Sequence, residues 1–106
     1  MGRWMDLVRL KLLRDAAKRG KYAPLHSFLI QHFLLQPTQK EWRTTFQELE
    51  RVLGFALPKS ARIHRPWWAN NQGQGGGHSH ALAWEMAGWR TAKVDLADET
   101  LVFRRE

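Results

Sequence analysis

Hydrophobic residues near the N-terminus recur with the period of a helix. Within residues 3–19 a spacing of three or four positions is kept by Leu7, Leu10, Leu13 and Ala17. This pattern predicts a helix that ends at Gly20. Basic residues fall near one side of it, at Arg3, Lys11, Arg14 and Lys18. Such a face is usually solvated, and the alternative is an arm that follows phosphates or binds a partner.

The segment LHSFLIQHFLL has a different pattern, because it is apolar nearly all round. Pro24 suits the first turn of a helix, and Pro37 ends the pattern soon after Leu35. A helix that is apolar on every side is typical of a buried position. We therefore predict that this second helix lies at the centre of the core.

The next segments predict a short strand and then a capped helix. EWRTT is β-prone, and in TFQELERVLGF the residues Thr45 and Glu48 fit the T-x-x-E capping box. Gly54 suits the C-terminal cap of this helix. One apolar face is formed by Phe46, Leu49, Val52 and Leu53. LPKSAR then offers Pro58 as the start of one or two helical turns.

The last third of the chain predicts a loop, a helix and a hairpin. NNQGQGGG cannot hold a regular element, because glycine loses too much backbone entropy, so residues 71–77 are predicted to be a mobile loop. Ser79 can cap a helix over about residues 80–87, which Gly88 stops. WRTAKVDL and TLVFRR alternate as strands around the turn Ala97–Glu99.

This order of elements predicts an α+β fold. We expect a small winged-helix-like domain with three to five helices, a short strand and a C-terminal β-hairpin, covering residues 21–106 after a basic N-terminal helix at 1–20. One feature differs from a helix-turn-helix, namely the length of the segment that links the last two predicted helices. That turn usually has about three or four residues, and here about 25 intervene.

The net charge of the chain indicates which classes of partner it could bind. The 106 residues carry a net charge of +7 at neutral pH and contain no cysteine. Excess positive charge favours polyanions, with nucleic acid first and acidic membranes or proteins second. The lack of cysteine fits a reducing cytosol and excludes cysteine-based metal sites and nucleophiles. No apolar run approaches about 20 residues, so we expect a cytoplasmic protein without a membrane span.

The candidate site lies around the segment SARIHRPWWANN. Arginine pairs with phosphate or guanine, asparagine with adenine, and an indole stacks on an exposed base. The candidate nucleic-acid-binding residues are Arg62, His64, Arg65, Trp67, Trp68, Asn70, Asn71, His78 and Arg90. Each indole taken alone is better explained as a core anchor. For the adjacent pair we expect one buried and one partly exposed ring, with Trp84 and Trp89 in the core.

Catalysis and metal binding have weaker support. His78 and His80 form an H-x-H pair, but no cysteine or well-placed acidic cluster accompanies them. No P-loop, G-x-S-x-G, H-E-x-x-H or paired-carboxylate motif is present. We therefore expect a protein that is not an enzyme and needs no metal or cofactor.

Four segments carry a family resemblance: KYAPLHSFL, TFQELERVLGFALPKSARIHRPWWAN, HALAWEMAGW and VDLADETLVFRR. Over about residues 21–105 the chain resembles a family of small uncharacterised bacterial and phage domains. The family pattern is Y-x-P-L, S-A-R-x-H-R-x-W-W-x-N, A-x-x-W-x-x-A-G-W and V-x-F-x-R. Such domains stand alone or are appended to nucleases, which implies a DNA-reading module. Residues 1–20 and the 72–77 loop depart from the pattern.

Two functions remain open from the sequence. The first is a non-enzymatic DNA-binding protein, most simply of duplex DNA, that acts as a regulator or defence-related factor of a bacterium, phage or mobile element. The second is an interaction protein, such as a phage-type inhibitor that binds a host nuclease or ribonucleoprotein complex with the same basic face. Salt dependence separates them, because phosphate binding weakens steeply and log-linearly with salt.

Overall fold

A computed structural model describes residues 2–70 and 79–105 of the chain. These residues form five α-helices and three strands. The helices are α1 (Gly2–Arg19), α2 (Ala23–Leu35), α3 (Phe46–Leu53), α4 (Lys59–Ile63) and α5 (Leu82–Glu85). The strands are β1 (Glu41–Thr45), β2 (Arg90–Asp95) and β3 (Thr100–Arg104). Short 3-10 turns occupy Arg65–Trp68 and Ser79–Ala81.

The C-terminal hairpin forms as predicted and gains a third strand. β3 lies in the middle of an antiparallel sheet, with β1 on one side and β2 on the other. The ladder between β2 and β3 shifts register between Ala92 and Asp95, where Lys93 has a positive φ of 49°. The bulge leaves Lys93 exposed. The predicted α+β architecture is therefore confirmed.

The core lies between the helices and one face of the sheet. Because strand side chains alternate, Thr44 and its partner Leu101 share a face with Phe103 and Thr91. All four are buried. The largest fully buried side chains are Trp68, Trp84, Phe46, Phe103, Leu29, Leu49 and Leu101. The predicted core roles of Trp84 and Trp89 are confirmed, since both are 2% exposed or less.

Helix α3 begins and ends as its local sequence predicts. The Thr45 side chain accepts a hydrogen bond from the Glu48 amide at 3.0 Å. The Glu48 carboxylate does not complete the capping box and instead accepts from the Thr44 hydroxyl at 3.1 Å. Gly54 ends the helix at a φ of 84°, a left-handed conformation that costs glycine little. The position of α3 is thus fixed by signals within ten residues.

Helix α2 buries one face only, so its predicted central position is correct in part. Leu25, His26 and Leu29 are buried where α2 packs against α3 and α5. The other face stays open despite its composition, and the residues exposed on it are Ile30, Phe33, Leu34 and Leu35. Helix α1 packs on α2 and α5 near its C-terminal end, where Ala17 is buried.

The predicted helix over residues 80–87 is shorter than expected. Its α-helical part is a single turn at Leu82–Glu85, preceded by a 3-10 turn. The chain then tightens, because the amides of Ala87 and Gly88 bond to the carbonyls three residues earlier. Gly88 has a φ of 87° and directs the chain into β2. None of the described helices is long and apolar enough to cross a membrane.

Trp84→Ala should strongly destabilise the fold. The side chain is 1% exposed and packs against Trp68 and Phe103. Large-to-small substitutions of buried aromatic residues cost about 3–5 kcal/mol. Urea denaturation followed by far-UV circular dichroism measures the loss. A cost under about 1 kcal/mol would contradict the packing described here.

Candidate nucleic-acid interface

The segment from Arg65 to Asn70 lies along the free edge of the sheet. β2 is an edge strand, so one row of its backbone groups lacks a partner strand. The Asn70 side chain takes the place of that strand at Thr91. Its Nδ2 donates to the Thr91 carbonyl at 3.2 Å, and its Oδ1 accepts from the Thr91 amide at 3.0 Å. Farther along β2, the Arg65 guanidinium donates to the Val94 carbonyl.

Asn70 also connects this edge to the core. Its Oδ1 accepts a hydrogen bond from the Trp84 indole Nε1 at 3.0 Å. The Thr91 hydroxyl donates its single proton to the Trp68 carbonyl at 2.5 Å, so it does not also donate to Asn70. The side-chain amide of Asn70, which the sequence suggested as a partner for adenine, therefore uses both its oxygen and its nitrogen in hydrogen bonds within the fold. Its contact with a base stays a prediction, and such a contact would have to displace these bonds.

The adjacent tryptophans divide as expected, with one ring buried and one half-buried. Trp68 is 2% exposed, and its Nε1 donates to the Ala61 carbonyl at 2.7 Å. Trp67 is half-buried and stacks on His80, with ring centroids 3.8 Å apart and planes within 8°. The Tyr22 ring meets Trp67 edge-on at 5.8 Å, and burial raises the pKa of the Tyr22 hydroxyl. Because the Trp68 ring is buried, neither of its faces is available to a base.

Arg62 is held between two carboxylates. Its guanidinium lies 2.6 Å from Glu50 of α3 and 2.6 Å from Glu99 in the hairpin turn. Burial lowers the pKa of Arg62, but the hydrogen bonds and charges of Glu99 and Glu50 outweigh that effect and raise it. The pair of carboxylates balances the charge of Arg62, so a phosphate would have to displace one of them.

The other predicted residues have mixed placements. His64, Arg65 and Arg90 are exposed. Arg90 directly precedes Thr91, so β2 brings Arg90 close to the Asn70 side chain. Asn71 and His78, and the predicted mobile loop at 71–77, lie outside the described residues. The structure therefore brings Arg65, Asn70 and Arg90 together along β2, whereas Arg62 is paired with two carboxylates and the Trp68 ring is buried.

Sequence reasoning missed a basic surface on the outer face of the sheet. Arg104 of β3 lies directly opposite Arg90 of β2 and Glu41 of β1, and its Nε is 2.5 Å from the Glu41 carboxylate. Arg43 and the bulged Lys93 line one depression on the same face, together with one acidic residue, Asp95. We call Arg43, Arg90, Lys93 and Arg104 the basic sheet face. The sequence could have predicted this surface. Side chains alternate along EWRTT and TLVFRR, so Arg43 and Arg104 fall on the face away from the core.

A groove of about 440 Å³ opens where β2 begins and β3 ends. We call it the arginine groove. Its lining residues are Phe33, Asn70, Glu85, Gly88, Trp89, Arg90, Arg104 and Arg105. Two of the predicted site residues, Asn70 and Arg90, are among them. Among the lining residues that the structure describes, there are three arginines and one glutamate, so this part of the groove is electropositive.

Arg105 is the least exposed charged group of the groove, at 6% of its surface. Its Nη2 donates to the carbonyls of Gln36 at 2.8 Å and Pro37 at 2.6 Å. Its guanidinium carbon lies 4.0 Å from the centre of the Phe33 ring. Within residues 2–70 and 79–105, no carboxylate pairs with Arg105 and its buried Nε has no hydrogen-bond partner.

Metal binding finds no geometric support in the described part of the chain. No three histidine, aspartate or glutamate side chains within it are close enough to hold an ion. His26 is instead buried, with its Nδ1 3.2 Å from the Ala83 carbonyl. His32 contacts the Gln39 side-chain oxygen at 2.8 Å. The His32 ring also lies against Trp42 and Trp89, with ring centroids 5.6 Å and 5.7 Å apart, so both histidines take part in packing.

Comparison with known proteins gives a family and no activity. A family model described as "Domain of unknown function (DUF7662)" matches residues 26–106. The match covers nearly the same residues as the resemblance to uncharacterised domains drawn from the sequence motifs. No curated protein and no solved structure matches the chain significantly. Helix α1 lies outside the matched residues.

Asn70→Ala should destabilise the protein although the residue is on the surface. The change leaves the Thr91 amide and the Trp84 indole without their acceptor. Each buried donor left unsatisfied costs about 1–3 kcal/mol, so for two donors we expect a loss of about 2–6 kcal/mol. Chemical denaturation measures this loss, and His64→Ala, at a neighbouring exposed position, is the control. Equal stability of the two variants would mean that the Asn70 amide does not support the sheet edge.

Proposed function

The chain belongs to the DUF7662 family, and we propose that it is a non-enzymatic protein that binds nucleic acid, with duplex DNA as the first choice. The observation that carries the proposal is the basic sheet face. Its arginines and lysine come from all three strands, so a rigid sheet presents them together. Arginine and lysine on such a surface suit contacts with phosphate oxygens.

The placement of Arg90 opposite Arg104 supports a binding role. Like charges directly opposite each other on neighbouring strands destabilise a sheet. Glu41 offsets part of this cost through its ion pair with Arg104. The net charge of +7 leaves the rest of the chain basic as well. Two arginines set side by side at one end of the sheet, in a basic chain, suit an anionic partner.

We expect phosphate contacts to dominate over base reading. Asn70 and Trp68, whose side chains could read or stack on a base, already serve the sheet edge and the core, and Trp67 stacks on His80. His64 and Arg65 remain exposed beside them. The protein should therefore bind many sequences with similar affinity, and its affinity should depend strongly on salt.

A protein partner is the second candidate, and a separate observation favours it. Several large apolar side chains are exposed on α1 and on the open face of α2. They are Leu7, Leu10, Leu12, Phe33, Leu34 and Leu35. Exposed apolar patches on a protein surface are typical of protein interfaces. An inhibitor or interaction protein that docks on a nuclease or ribonucleoprotein would use this surface, and its binding would depend little on salt.

The double variant Arg43→Gln/Lys93→Gln tests the nucleic-acid proposal. Both side chains are exposed on the basic sheet face, so their loss should leave folding unchanged. Each phosphate contact contributes about 0.9 to the slope of log affinity against log salt concentration. We expect the slope for a random-sequence duplex to fall by about two units in the double variant. Fluorescence anisotropy over a series of salt concentrations measures it.

A matched control removes two positive charges elsewhere. Arg51 and Lys59 are exposed on α3 and α4, and Arg51→Gln/Lys59→Gln changes the net charge equally. This control should keep the parental slope. If both double variants lose the same amount, binding follows total charge and the basic sheet face is not the site. If the parent binds no nucleic acid at low salt, the protein-partner candidate replaces the proposal.

A further inference from the structure

We propose that the arginine groove binds a terminal phosphate, carried by the end of a nucleic-acid strand or by a mononucleotide. The inference deepens the proposed function and rests on it, because it adds an end-recognising site next to the basic sheet face. Arg90 and Arg104 belong to both surfaces. A strand lying on the sheet could therefore place its last phosphate in the groove.

The strongest support is the unbalanced charge of Arg105. A buried ion is costly unless an opposite charge and hydrogen bonds compensate it. Arg62 meets this requirement with two carboxylates, and Arg104 meets it with one. Arg105 is far less exposed than Arg104, at 6% against 36% of the side chain, yet carbonyl oxygens and aromatic rings are its only described partners. An anion in the groove would supply the missing charge.

Arg105 is also held in place before any ligand arrives. The carbonyls of Gln36 and Pro37 fix one end of its guanidinium. The rings of Phe33 and Trp89 lie 4.0 Å and 5.2 Å from its central carbon. Both Nη2 protons are used by these carbonyls, so Nη1 is the donor left for a phosphate. Because the side chain is already held in place, little side-chain entropy is lost on binding.

The balance of charges in the groove suits a phosphate monoester. Arg90, Arg104 and Arg105 line it, and Glu85 is the acidic group among its described residues. A phosphate monoester carries about −1.5 to −2 charges at neutral pH, whereas an internal phosphodiester carries one. Glu85 opposes any anion in the groove, so it sets a limit on affinity that a substitution can remove.

Shape distinguishes a terminal from an internal phosphate. Arg105 is recessed, while Arg90 and Arg104 are more exposed. An internal phosphate is flanked by a sugar on each side, which hinders its approach to a recessed group. A terminal phosphate has one free side. Phe33 is 42% exposed and lines the same groove, so its ring could contact the terminal base.

The test compares oligonucleotides of one sequence that differ only at their ends. Binding of 5′-phosphorylated, 3′-phosphorylated and unphosphorylated strands is measured by anisotropy at one salt concentration. A charge-assisted hydrogen bond contributes about 1.5–3 kcal/mol, so we expect one phosphorylated form to bind about tenfold tighter or more. Adenosine monophosphate, with adenosine as its control, tests the mononucleotide by calorimetry. Binding of the monophosphate alone would identify a free nucleotide as the source.

Variants locate the preference in the groove. Arg105→Lys keeps the charge but loses the planar group that the carbonyls and aromatic rings hold in place, and it should reduce the preference for the phosphorylated end severalfold. A change at a buried arginine can impair folding, so Glu85→Gln serves as a second variant. Because it removes a negative charge from the groove, it should increase the preference for the phosphorylated end. Arg43→Gln/Lys93→Gln should weaken all strands alike and leave their ratio unchanged.

The outcomes separate the two proposals. Salt-dependent binding with equal affinity for all strand ends, and no binding of the monophosphate, overturns the groove and leaves the proposed function intact. Absence of strand binding together with binding of the monophosphate overturns the proposed function and keeps the groove as a nucleotide site. Absence of both overturns both. A preference that Glu85→Gln leaves unchanged would place the end-recognising site outside the groove.

Discussion

The hydrogen bonds of the Asn70 carboxamide hold strand β2 against the core, and the placement of the basic residues on β2 depends on them. The carboxamide bonds to both backbone groups of Thr91 and to the indole of Trp84. A side chain thereby takes the position of a fourth strand, which covers the edge that a three-stranded sheet would otherwise expose. The same bonds fix β2 relative to the core, so the orientation of Arg90 at the start of β2 follows from them.

Local signals were enough to predict most elements. The cap at Thr45, the left-handed Gly54 and the turn between β2 and β3 each depend on residues only a few positions apart. The extent of α2 was also predictable, but its exposed face was not. Ile30, Phe33 and Leu34 are apolar, and composition alone could not show that the neighbouring helices cover only the opposite side.

The candidate site was harder to predict, because its residues are defined by distant partners. Asn70 contacts a strand 21 positions later, and Arg62 meets carboxylates 12 and 37 positions away. From the sequence, each of these side chains is equally compatible with a ligand. Once the fold pairs them, their hydrogen bonds are satisfied internally. The opposite holds for Arg105. It ends the segment that resembles the V-x-F-x-R motif but was not among the candidate site residues, and it is buried without a carboxylate partner among the described residues.

Amide hydrogen exchange at Thr91 tests the role of Asn70 most directly. An unpaired edge amide exchanges through small local openings, whereas an amide bonded to a core-linked acceptor exchanges only when the structure opens more widely. We expect the Thr91 amide to be protected nearly as well as amides in the middle of β3, and to lose that protection in Asn70→Ala under conditions where the protein stays folded. A Thr91 amide in the parent that exchanges as fast as an exposed edge would contradict the account.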